Sequence, residues 1–244
     1  MKKILIILFL CLLLPTIATA DGLIIKTAGG GGGDSCTGGL LFSWHCESTT
    51  VTSGTPQGCS LGDDLATGYS AAAINSDVVQ DGTYSCDFPT SGDYYGFTVS
   101  NRDIADERAG TAIFYLYLNT FVANTWVFNL QYNEDTDRIL VYQEAGTYNR
   151  LKLLYEGQNS LITAFTANTS NIPTGQWLKV TAKWSYAAVG GLHLSISYND
   201  ANTGTSSSAL NTMTGTPTTL HIGNAKTYSG DFAIDNIKIY NSWL

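Results

Sequence analysis

The residues in this chain whose types and spacing could do chemistry are aromatic and amide side chains more than acids. The sequence holds 14 Tyr and 5 Trp, and only 13% of its residues are charged. Exposed aromatic rings stack on pyranose faces, and Asn, Gln and Asp bond sugar hydroxyls, so these types point to carbohydrate recognition. In Ile113-Phe-Tyr-Leu-Tyr117, Tyr115 and Tyr117 share a face opposite Phe114 and Leu116. In Trp126-Val-Phe-Asn-Leu-Gln-Tyr132, Asn129 and Gln131 lie opposite a face of Trp126, Phe128, Leu130 and Tyr132. If the tyrosine face is outward, Tyr115 and Tyr117 form a stacking platform with Asn129 and Gln131. If it is inward, they are core. Alternation assigns Trp126, Trp177 and Trp184 mostly to the core.

Residues for bond-breaking chemistry are sparse. A glycoside hydrolase needs two carboxylates flanking one bond. The nearest cluster, Glu134-Asp135-Thr136-Asp137, falls in a polar turn between two strands. Asp103, Asp106 and Glu107 fall in a loop. His45, His193 and His221 are scattered, with no His-Glu-x-x-His and no Gly-x-Ser-x-Gly motif. The expectation is a protein that binds and turns nothing over.

The elements that must position these residues are short strands separated by turn residues. They are expected at Leu40–Glu47, Tyr84–Phe88, Tyr94–Val99, Thr111–Leu118, Thr125–Tyr132, Ile139–Gln143, Arg150–Tyr155, Trp177–Ser185, Leu192–Tyr198, Thr218–Ile222 and Phe232–Tyr240. Asp64–Ile74 and Ser100–Ala109 are the two stretches that could hold a helical turn, and Asn199–Gly204 reads as a turn cluster. Leu178, Val180, Ala182 and Trp184 face together, opposite Lys179, Thr181 and Lys183, and Leu192, Leu194, Ile196 and Tyr198 form a similar apolar face. Strands with one apolar and one polar side stack in two sheets. The expected fold is therefore all-β, a two-sheet antiparallel β-sandwich.

Residues 1–20 read as a signal peptide: Lys2 and Lys3, the apolar run Ile4 to Leu14, and the small-residue site Ala18-Thr19-Ala20. Residues 21–39, with the run Gly29 to Gly33, read as a flexible leader, and 40–244 as one domain. Removing Lys2 and Lys3 with no acid would take the net charge from −8 to −10. That balance argues against nucleic acid as a partner, and no later segment is apolar for long enough to enter a membrane. Export with four remaining cysteines, Cys36, Cys46, Cys59 and Cys86, favours disulfides. Three connectivities are open, of which Cys46–Cys59 with Cys36–Cys86 is preferred.

The stretch Tyr228-Ser-Gly-Asp-Phe-Ala-Ile-Asp-Asn-Ile-Lys-Ile-Tyr240, with Gly110–Leu118 and Thr174–Trp184, resembles the laminin-G-like branch of the concanavalin A-like lectin/glucanase families over roughly residues 40–240. The resemblance implies a jelly roll. Hydrolases of those families carry their acids at period two on one strand, and this chain has no such run. The resemblance also implies a structural Ca²⁺ near the first and last strands, for which Asp235, Glu47 and Asp81 are the candidate ligands. The leading expectation is a secreted module for a polysaccharide or other glycan. The alternatives are a cell-surface adhesion protein contacting protein, and a divergent polysaccharide hydrolase or lyase.

Overall fold

The computed structural model describes residues 40–46, 67–69, 72–98, 108–133, 137–158, 160–166, 170–213, 219–224 and 230–244. No helix occurs among them. The strands are β1 (Leu40–Trp44), β2 (Thr67–Tyr69), β3 (Ala73–Asn75), β4 (Ser85–Phe88), β5 (Tyr94–Thr98), β6 (Ala109–Thr120), β7 (Trp126–Asn133), β8 (Asp137–Glu144), β9 (Arg150–Gly157), β10 (Ser160–Phe165), β11 (Trp177–Val189), β12 (Leu192–Tyr198), β13 (Ala201–Ser206), β14 (Thr219–Gly223) and β15 (Asp231–Tyr240).

They form two antiparallel sheets, as alternation predicts. Sheet A runs β13-β12-β11-β6-β15-β4-β3, with β1 also on β15, and sheet B runs β10-β9-β8-β7-β14-β5-β2. Each sheet turns its apolar side inward. On β6, Phe114, Leu116 and Leu118 are buried, as are Phe128 and Leu130 on β7. Phe114 and Phe128 stack across the gap with centroids 6.2 Å apart. Phe42 and Trp44 of β1 meet Phe97 and Tyr95 of β5 edge-on at 5.4 and 5.0 Å. These aromatic pairs lock the N-terminal strand of sheet A onto sheet B, adding to their area burial.

Two readings of the elements are corrected. Residues 67–69 and 73–75 are strands rather than a helical turn. The turn cluster ends at Asp200, and residues 201–206 form an edge strand. Left-handed φ angles at Asn199, Asp200 and Asn202 let the chain reverse there. Gly204 allows that edge to close on sheet B, because a Cβ at this position would collide with the Phe165 carbonyl.

The cysteine pairing also differs. Cys46 is bonded to Cys86, with Cα atoms 5.5 Å apart, which excludes both Cys46–Cys59 and Cys36–Cys86. The cause is topological. β1 pairs with the C-terminal half of β15 (Trp44 opposite Ile237), and β4 pairs with its N-terminal half (Cys86 opposite Ile234). The two strands lie end to end on one edge of β15, and Cys46, just beyond β1, arrives beside Cys86. Cys36, Cys59, the leader and the signal segment lie outside the described residues.

Candidate functional site

The four residues grouped from sequence do not meet. Tyr115 and Tyr117 are half-buried on the outer face of sheet A, since Phe114, Leu116 and Leu118 take the inner face. Asn129 and Gln131 lie on the outer face of sheet B, opposite the inward Phe128 and Leu130. About 10 Å of core separates the sheets, so one ligand cannot touch both pairs. Trp177 directly opposes Tyr117 in sheet A, with ring centroids 5.5 Å apart. Trp177 is therefore outside the core, on the face that alternation gives to Lys179.

Trp126 is also outside the core, for a different reason. Trp126 pairs with Tyr142 and Phe128 with Val141, so β7 carries an extra residue between them. Such a bulge moves every side chain before it to the opposite face. Trp126 thus joins Asn129 and Gln131 on the outer face of sheet B.

That face is the richer of the two. Across β7 and β8 it presents three rows: Trp126 with Tyr142, Asn129 with Leu140, and Gln131 with Arg138. The next strand adds Lys152 beside Tyr142, Leu154 beside Leu140 and Glu156 beside Arg138. Arg138 Nε lies 2.8 Å from Glu156 Oε2, an ion-pair distance without the alignment of a hydrogen bond. The Arg138 guanidinium carbon is 5.2 Å from the centroid of Trp126. To reach it, the side chain must cross the Asn129–Leu140 row. This roof explains why an outward-facing amide is only 1% exposed. Neither Oδ1 nor Nδ2 of Asn129 has a partner among the described residues.

A second cluster borders the first. Glu144 accepts from Arg150 at 3.1 Å and from Lys152 at 3.0 Å. Arg150 lies 3.9 Å and Lys152 4.9 Å from the centroid of Phe165. Burial acts to lower the pKa of Lys152, but hydrogen bonds and charge interactions with Tyr142 and Glu144 outweigh it and raise the pKa overall. Beyond β7, His221 pairs with Asn129 in register and its ring sits 4.7 Å from that of Tyr94.

Of the candidate cation ligands, Asp235 is held by backbone amides. Asp235 is fully buried. Its Oδ2 accepts the backbone N–H of Gln80 at 3.3 Å and of Asp81 at 3.1 Å, and its Oδ1 accepts that of Asn236 at 2.7 Å. Asp81 is thus adjacent, but through its backbone, and Glu47 lies outside the described residues. N–H groups around a carboxylate present positive ends, a poor fit to a hard cation that wants a shell of oxygens. Among the described residues no group of three or more His, Cys, Asp or Glu could hold a metal ion.

Sequence reasoning missed Trp126, Arg138, Glu156, Lys152 and Phe165 as site residues. The alternation in Asp137–Glu144 and Arg150–Gly157 was available and puts Arg138, Tyr142, Lys152 and Glu156 on one face.

No protein-family model matches the chain, and no curated protein matches its sequence. Solved structures do. The binding domain of botulinum neurotoxin DC, in complex with SialylT, superposes with a TM-score of 0.62 at 12% identity, over 85% of this chain and 49% of that one. The binding domain of botulinum neurotoxin serotype D gives 0.61 at 11%, over 84% and 48%. Trypanosoma rangeli sialidase gives 0.58 at 12%, over 86% and 32%. The chain therefore spans a third to a half of the length of these structures, and at such identities the likeness establishes a shared two-sheet β-sandwich fold.

Proposed function

We propose that this chain is an exported, non-catalytic glycan-recognition module of the laminin-G-like and concanavalin A-like kind, and that it binds through the outer face of sheet B. One observation carries the reading: a buried amide, Asn129, keeps both its donor and its acceptor unpartnered beneath the Arg138 side chain, in the row next to Trp126. A buried polar group without partners costs stability, so it calls for a partner from outside the chain. A sugar hydroxyl pair supplies an acceptor and a donor at once when the Arg138 side chain shifts off the amide, a shift that also uncovers the Trp126 ring for stacking.

Two further points support it. A toxin binding domain of similar fold is in complex with SialylT. The Cys46–Cys86 bond suits an oxidising compartment. A sialidase is equally among the neighbours, so turnover has to be weighed. Glu144 and Glu156 share a face but sit twelve residues apart across β9 and its hairpin, at opposite ends of β8. Six residues of strand separate Glu144 from Arg138, the partner of Glu156, or roughly 20 Å. Two-carboxylate glycoside hydrolysis needs the carboxyl groups within about 5–10 Å, a rule that does not cover sialidases with their Tyr nucleophile, and both of these acids are tied up by cations.

A glycan array on the oxidised protein tests the reading, followed by titration of the best hits. Affinities in the micromolar to millimolar range are expected for one shallow face. Trp126→Ala should abolish binding, with Tyr117→Ala as the control on the opposite sheet. Binding that survives Trp126→Ala but is lost with Tyr117→Ala would move the site to sheet A. Steady release of reducing ends would overturn the non-catalytic part.

A further inference from the structure

We infer that Arg138 forms a subsite for a planar carboxylate, so that the glycan taken by this face is a uronic-acid-type sugar. The inference rests on the glycan reading above and narrows it.

The guanidinium of Arg138 is held on two sides and open on a third. Glu156 fixes its Nε, at 2.8 Å. The Trp126 ring lies on another side, its centroid 5.2 Å from the guanidinium carbon. Among the described residues neither Nη has a partner, although the side chain is only 18% exposed. A guanidinium carries five N–H donors in a rigid fork that matches a carboxylate bidentately. Here the fork is pre-ordered and its Nη edge is unused. Unpaired donors in a mostly desolvated place are costly, whereas a charge-assisted pair at the same place is among the stronger hydrogen bonds available.

The charges around the fork agree. Among the described residues, the ion pairs of this face join Arg138, Arg150 and Lys152 to Glu144 and Glu156, three cations to two acids. The chain as a whole is strongly acidic, at −8. Charges elsewhere on the surface are largely screened beyond about 8 Å in physiological salt, so the local surplus decides what is attracted. Lys152 lies in the same row as Trp126, two strand spacings away, or about 10 Å. Successive acidic units of one oligosaccharide can engage Arg138 and then the Arg150–Lys152 pair. A carboxylate suits the free edge, since its two oxygens pair with two donors of the fork at once.

The test uses the full oxidised chain and calorimetric titration with oligomers of galacturonate, glucuronate and mannuronate, each beside its neutral methyl ester and beside a sulfated oligosaccharide. At least one uronate oligomer should bind about tenfold tighter than its ester, the worth of one charge-assisted pair. Arg138→Lys, which keeps the charge but loses the fork, should erase that advantage, so that acid and ester bind the variant equally. Arg138→Gln is the second variant should the first fail to fold. Equal binding of acid and ester, an acid advantage that survives both variants, or a preference for the sulfated sugar would each overturn the inference while leaving glycan binding intact. Failure of every sugar to bind would overturn it together with the proposed function.

Discussion

Replacing Asn129 by leucine should make the protein more stable and cost it its ligand. Asn129 is 1% exposed, with Oδ1 and Nδ2 both unpaired, and its cross-strand neighbour is Leu140, itself 3% exposed. Each buried, unpaired polar group costs about 1–3 kcal/mol, and an apolar side chain of similar size escapes that cost. Leucine is a little larger and branches differently, so some of the gain is lost to strain. A net stabilisation of about 2 kcal/mol is expected. For a chain of this size that raises the melting temperature by roughly 4–8 °C. Thermal unfolding and urea titration of the free protein measure it, and glycan titration of the same samples should show binding lost. This opposition between stability and binding is the mark of a residue kept for function. If Asn129→Leu instead lowers stability by a kilocalorie or more, the amide is already satisfied in solution. The argument from an unpartnered side chain then fails, whatever happens to binding.

Removing the disulfide with Cys46→Ala and Cys86→Ala should cost about 4 kcal/mol, the loop-closure value for a separation of 40 residues, read from urea midpoints; an unchanged midpoint would mean that the bond constrains nothing. Tyr95 is fully buried, and burial followed by the nearby Asp87 charge raises its pKa from 10.0 to about 12. The unfolded chain releases that proton first, so this contribution is whole below pH 10 and is lost as pH rises through 12, by about 2–3 kcal/mol. Tyr95→Phe should flatten that alkaline slope without loss at neutral pH, and an unaltered slope assigns it to another group. Asp235→Ala leaves three backbone N–H groups without their acceptor and should destabilise by about 3 kcal/mol or more, in chelator as well as in Ca²⁺. A melting temperature that falls in chelator for the parent chain alone would put a cation on that carboxylate.

The sandwich was legible wherever a strand alternates without interruption. In Trp177–Val189 and Leu192–Tyr198 the buried faces are those the pattern names, with Leu178, Val180, Ala182, Trp184, Leu194 and Ile196 all fully buried. Legibility failed where a strand is held by its neighbours more than by its own side chains. Ala201-Asn-Thr-Gly-Thr-Ser206 has turn-like composition, yet its backbone pairs with β12 and becomes an edge. It failed again at one inserted residue: Val127 shifts the register and brings Trp126 from the expected core to the outer face. The site shares that fate. Asn129 and Gln131 were nameable from type and alternation. The meeting of Arg138 with Trp126 over Asn129 depends on which rows of β7 and β8 stand opposite each other, and local sequence does not encode that.

The edge of β15 shared by β1 and β4 bears on how the molecule is made. Three strands, β1, β4 and β6, take β15 as their neighbour, and the contact between Cys46 and Ile234 spans 188 positions of chain. During synthesis β1 waits for β15 to emerge, while β4 and β6 can pair with β3 and β11 but lack their second neighbour until then. Non-local pairing of this kind folds slowly, and it leaves Phe42, Trp44 and Phe88 unsheltered while the chain waits. Under the proposed export such a delay is an advantage, since the chain remains threadable until its closing strand arrives. The Cys46–Cys86 bond then acts as a latch set after closure, and oxidising enzymes meeting the chain too early would find Cys46 and Cys86 apart and other thiols within reach.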